Sequence, residues 1–177
     1  MILWHLGATI AVARYVFRDP RMDLRFLLAG SLLPDLLDKP AALAAWDALQ
    51  SARLWGHSLL LVSVLMTVVV MATRRGRPRR RWMALVIGVF LHLVLDAIWT
   101  APESLLWPFL GWAFSPHGAA GAGAYLGDVL GSPWYWLQEA AGALYLGWLW
   151  RRADLGTATT RRRLYREGVI DVPIGSG

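Results

Sequence analysis

An all-α, polytopic membrane fold is the class this sequence predicts, and three observations predict it. The 177-residue chain is 56% hydrophobic with 11 tryptophans, a composition richer in apolar residues than that of soluble domains. The apolar residues gather into four or five runs of helical length, separated by Pro, Gly and Arg clusters. The cations are also unevenly placed. With alternating spans, four Lys or Arg follow the first run, six follow the third and six follow the fifth, leaving Lys39 and Arg53 on the other side. The positive-inside rule makes the arginine side cytoplasmic and predicts a multi-pass protein of a bacterial inner membrane. Trp4, Trp46, Trp55, Trp99, Trp107, Trp112, Trp134 and Trp136 then fall at the outer boundary, with Trp82, Trp148 and Trp150 at the inner one.

In chain order, the first expected helix runs from Leu3 to Phe17, with His5 near its start. It begins without the basic flank or cleavage site of a removable signal peptide. Arg14, Arg18, Arg21 and Arg25 surround an Asp19-Pro20 break. The second helix, Leu24 to Leu37, ends in GSLLPDLLDKP, which sets Asp35 and Asp38 beside Pro34 and Pro40. Residues 41–50 read as a short interfacial helix. The third helix spans Leu54 to Thr73, with His57 in its first turn, and RRGRPRRR follows. The fourth, Arg81 to Ala101, is apolar for about 20 residues, roughly the thickness of a bilayer's hydrocarbon core. Residues 102–132 read as a Gly-, Pro- and Trp-rich loop or lid, and the fifth helix, Pro133 to Trp150, carries Glu139. The expected organisation is an embedded domain over 1–150 and a basic cytoplasmic tail over 151–177, partly disordered and fraying after Gly168.

The chemistry rests on polar residues inside these runs. With no Cys in the chain, disulfides and thiolate sites are excluded, so a metal must be held by imidazole and carboxylate. His92 and Asp96 lie four residues apart on one face of the fourth helix, where a buried ionisable pair is expensive and points to a site. A hydrogen bond that merely joins helices is the plain alternative. At about 1.5 Å per residue, His5, Asp35, His57, His92 and Asp96 come to similar heights on four helices, which predicts a mononuclear or dinuclear site. Asp38 reads equally as a second ion's ligand, a helix-terminal acceptor or a partner of Lys39. In the outer layer, Arg53 and His117 are candidate substrate-binding residues, and Asp35 and Glu139 candidate catalytic ones. Membrane lipids are the expected partners. The arginine run is assigned to anionic lipid headgroups rather than to nucleic acid.

GSLLPDLLDKP, GHSL at 56–59, and FLHLVLDAIW followed by LLWPF resemble, in order and spacing, motifs of the YdjM-like membrane-bound metal-dependent hydrolases, described as LexA-binding and inner-membrane-associated. The resemblance covers roughly residues 1–110. Trp4 and Gly56 stand where that family commonly has Thr, and Lys39 where it often has His. The same residue order is more distantly similar to zinc-dependent phospholipases C. These resemblances imply a divalent ion, zinc first and manganese or magnesium otherwise, with one or two ions per chain. The expected function is a membrane-embedded hydrolase cleaving a phospholipid or other lipid phosphoester through metal-activated water. A metal-ion binding or transport protein, and a membrane scaffold with a polar core, are the alternatives.

Overall fold

The computed structural model describes residues 1–19 and 21–170. Its helices are α1 (Ile2–Val12), α2 (Leu24–Ala44), α3 (Trp46–Leu49), α4 (Leu59–Ala72), α5 (Arg77–Leu95), α6 (Pro102–Leu105), α7 (Ala122–Gly131), α8 (Pro133–Arg152) and α9 (Ala158–Glu167). A π-helical turn, Ala13–Phe17, extends α1, and 3-10 turns occupy Trp55–His57 and Ile98–Thr100.

The central pair is α2 and α5, running parallel. Asp23 meets Arg81, and Ser31 meets His92. Two glycines let the backbones touch: a Cβ on Gly30 would lie 2.0 Å from the Leu85 carbonyl oxygen, and one on Gly88 2.1 Å from that of Leu27. Only a residue without a side chain permits this approach. α1 packs across the pair, α8 lies along α1, and α4 covers α5. Leu27, Val89 and Leu93 are buried between them. The starts of α1 and α4 therefore meet the ends of α2 and α5 at one end of the molecule, and the arginines that open α2 and α5 lie at the other.

Element positions follow the hydropathy, but element ends do not. α2 runs past the expected stop at Leu37 and through Pro34 and Pro40, because Asp38 binds the 54–57 loop and Ala42 packs against Leu54 and Phe114. α5 stops at Leu95 rather than Ala101. Ala97 takes a left-handed conformation (φ +49°), and Arg53 Nη2 donates to the freed Asp96 carbonyl at 3.0 Å. The expected 102–132 loop contains α6 and α7. The tail contains α9, and its residues 171–177 lie outside the described ones.

One correction is large. Among the described residues no helix is long and apolar enough to cross a membrane. This overturns the transmembrane fold class, the multi-pass inner-membrane location and the membrane-embedded lipid hydrolase expected above. The reason is length and charge together. The most uniformly apolar helix, α4, has 14 residues, or about 21 Å against the roughly 30 Å of a hydrocarbon core. The longer α2, α5 and α8 each contain charged residues, four arginines opening α5 alone. Large apolar side chains still face outward, among them Met71 on α4 and Trp134 and Leu144 on α8.

Candidate metal centre

Asp35 from α2, His57 from the 3-10 turn before α4, and His92 and Asp96 from α5 and its end converge at the end of the bundle away from the arginines. Each offers one ligand atom, and the four atoms lie within 4.8 Å of one another. His57 Nε2 is 3.1 Å from His92 Nε2, 3.4 Å from Asp96 Oδ2 and 3.7 Å from Asp35 Oδ1. His92 Nε2 is 3.6 Å from Asp35 Oδ1 and 3.8 Å from Asp96 Oδ2. Ligands about 2.0–2.1 Å from one ion stand about 3.3–3.5 Å apart at the corners of a tetrahedron, close to these spacings. The chain thus carries a buried His2Asp2 cluster able to coordinate a divalent metal.

The far side of each imidazole fixes its tautomer. His57 Nδ1 lies 2.7 Å from Asp38 Oδ2, and His92 Nδ1 lies 2.7 Å from the Ser31 carbonyl. Carboxylates and carbonyls only accept, so both Nδ1 atoms donate, and in the neutral rings both Nε2 atoms keep a lone pair for the cluster. Two bare lone pairs 3.1 Å apart repel, and a cation between them removes the conflict. This is the arrangement by which outer hydrogen bonds orient metal-binding histidines, and the residues present fit an ion.

Asp38 is the anchor that the sequence left ambiguous. Fully buried, it accepts from the Leu54, Gly56 and His57 amides as well as from the His57 ring. A Cβ at Gly56 would sit 2.8 Å from Asp38 Oδ1, which accounts for glycine at that departure from the family motif. Lys39 pairs with Asp35, not Asp38.

Charge placement matches the geometry. Burial opposes ionisation of Asp96, but the His5 and His57 rings beside it outweigh that and hold its carboxyl well below the usual range. Burial also opposes ionisation of Asp35, and Lys39 and His92 lower it overall. Burial and the neighbouring His5 push His92 down to about 4, so this ring is neutral. Burial works against a charge on His57, yet Asp38 and Asp96 raise its pKa, so an ion competes with a proton there.

The other predicted residues fall at different distances. His5 lies outside the four-residue group but beside it. Its ring stacks on His92 at 4.1 Å, its Nδ1 is bonded to the Met1 carbonyl, and its buried Nε2 stands 3.0 Å from Asp96 Oδ1. Arg53 and His117 line a cavity of about 560 Å³ whose inner wall is Asp35, His57 and Asp96. Lys39, the other outer cation that the sequence offers for a phosphate, lines it too, as does Tyr125, which lies on the α7 helix hidden in the expected loop. Glu139 is elsewhere, its Oε2 accepting from the Leu3 amide at the start of α1.

The family profile described as YdjM inner membrane protein matches residues 1–156, which contain the whole cluster and the cavity around it. No curated protein and no solved structure matches the chain.

Proposed function

The chain belongs to the YdjM inner membrane protein family, and from that premise we propose that it is a divalent-metal-binding protein that uses the ion to hydrolyse a phosphoester. One observation carries the metal reading: two imidazoles whose Nδ1 atoms are committed elsewhere turn lone pairs onto two carboxylates within 4.8 Å. Two nitrogen and two oxygen donors favour zinc over magnesium or calcium, which prefer oxygen alone. The two oxygens of Asp96 face different histidines, Oδ1 toward His5 and Oδ2 toward His57, so His5 and Asp96 are the residues that would hold any second ion.

The cavity supports the hydrolytic part. A divalent ion supplies Lewis acidity toward a phosphoryl oxygen and lowers the pKa of water. The chain's own residues do the rest. Asp38 holds His57 in its tautomer, and Ser31 does the same for His92. Lys39 and Arg53 balance Asp35 and Asp96 from the cavity side and orient an anionic group there. Tyr125 and His117, ring against ring at 4.8 Å, also line the cavity. Glu139 has no part in this scheme. Lipid remains the proposed partner, as a surface contact supported by the outward apolar side chains of α4 and α8.

The test is metal content of the purified full chain after zinc repletion, together with turnover of a soluble chromogenic phosphoester. Wild type should hold zinc and turn over substrate, and His92→Ala should lose both. No bound ion would end the metal reading; a bound ion without turnover would leave metal binding and remove hydrolysis.

A further inference from the structure

At the end remote from the cluster, five guanidinium groups line one cavity of about 360 Å³. Arg21 comes from the turn before α2, Arg77, Arg80 and Arg81 from the start of α5, and Arg163 from α9. The cavity is at the small end of the range for ligand sites.

Its walls are built by specific contacts. Leu24 N donates to the Gly168 carbonyl at 2.7 Å, and a Cβ on Gly168 would lie 1.9 Å from Asp23 Oδ1, so the end of α9 is seated on the start of α2. Asp23, itself buried, accepts from Arg25 at 2.6 Å and from Arg81 Nε at 3.1 Å. Glu167 pairs with Arg163 at 3.2 Å. Both carboxylates of the cavity are therefore engaged. Among the described residues no carboxylate is within ion-pair distance of Arg21, Arg77 or Arg80. Five cations against two anions leave three positive charges on one small cavity, and α5 adds the positive end of its dipole without a side-chain cap.

We propose that this cavity binds a phosphate-bearing anion of two or more negative charges in all, held by the Arg21, Arg77 and Arg80 guanidinium groups. Guanidinium forks match phosphate oxygens in pairs, and three of them, from the turn before α2 and the start of α5, suit a polyphosphate or a phosphorylated headgroup better than a lone carboxylate. Fifteen residues of α5, or about 22 Å, separate Arg77 from His92. The site is thus distinct from the metal centre and does not depend on it.

The experiment compares full-length wild type, Arg77→Gln/Arg80→Gln, and an Arg151→Gln/Arg152→Gln control of equal charge loss on α8. The probes are inorganic pyrophosphate, followed by calorimetry, and vesicles of phosphatidylcholine with or without phosphatidylglycerol. Wild type should bind pyrophosphate, or should bind phosphatidylglycerol vesicles more tightly than neutral ones. The first outcome identifies free phosphate as the source, the second a lipid headgroup. The double variant should lose about tenfold or more in that affinity, as for lost charge-assisted hydrogen bonds, while the control stays near wild type and zinc content is unchanged. If the double variant does not fold, Arg77→Gln alone, at an exposed position, should show a smaller loss of the same kind. Equal loss in the control, no loss in the Arg77 variants, or binding of neither probe would overturn the proposal.

Discussion

Asp38 shows how one side chain organises a centre it does not join. Its carboxylate gathers three amides and one imidazole from residues 54–57, so it positions His57 and closes the loop at once. Replacing it with Asn keeps the shape but weakens the acceptor facing the His57 ring. Asp38→Asn is expected to lower zinc affinity about 10–100-fold, as outer-partner substitutions at metal sites do. Competition titration against a chelating dye measures this, and unchanged affinity would show that the tautomer is set without Asp38. The cluster residues themselves were legible because imidazoles and carboxylates stand out in apolar helices. Asp38 was not, because its partners lie 16–19 residues away and three of them are backbone amides. Glu139 on α8 accepts from the Leu3 amide at the start of α1, a contact that its height along the helix does not announce.

At the scale of elements, the parallel contact of α2 and α5 sets the spacing between Asp35 and His92. Gly30→Leu would force the backbones apart where a Cβ already meets Leu85 at 2.0 Å. The expected result is a destabilisation of about 1–3 kcal/mol or more with reduced zinc affinity, read from a denaturant curve and the same titration. At the other end of α2, burial disfavours a charged Asp23, but Arg25 and Arg81 outweigh it and lower its pKa. A lowered folded pKa gives stability that is complete above the unfolded value of about 3.9 and is lost as pH falls through the folded value. Asp23→Asn should therefore flatten the acid limb of the stability profile below about pH 4 and leave its slope near neutrality unchanged; thermal melts across pH check this. Helix positions could be read from the apolar runs. Their ends could not, since the Asp38 contacts carry α2 through Pro40, and Arg53 with Ala97 stops α5 early.

The whole molecule has two polar ends, a His/Asp centre at one and an arginine cavity at the other, joined by α2 and α5. Composition and the uneven arginines led to membrane-crossing helices, and the folded chain shows why that step fails: apolar runs drawn from sequence include charged turns, and the helices cut from them are too short or too polar. Hydropathy measures apolar content, not the length of unbroken helix. If the cluster binds an ion only when folded, zinc should stabilise the entire chain, by about 4 kcal/mol at a thousand times the dissociation constant. Thermal melts of wild type and His57→Ala with and without zinc test this, and an equal shift in both would place the ion elsewhere. The most direct measurement of the central claim is X-ray absorption on the zinc-loaded full chain. The account predicts one four-coordinate ion per chain at the cluster, with two imidazole nitrogens at about 2.0–2.1 Å and carboxylate oxygens at about 2.0–2.2 Å, and loss of the imidazole scattering in His57→Ala/His92→Ala. A zinc shell without imidazole, or one unchanged in that variant, would contradict it.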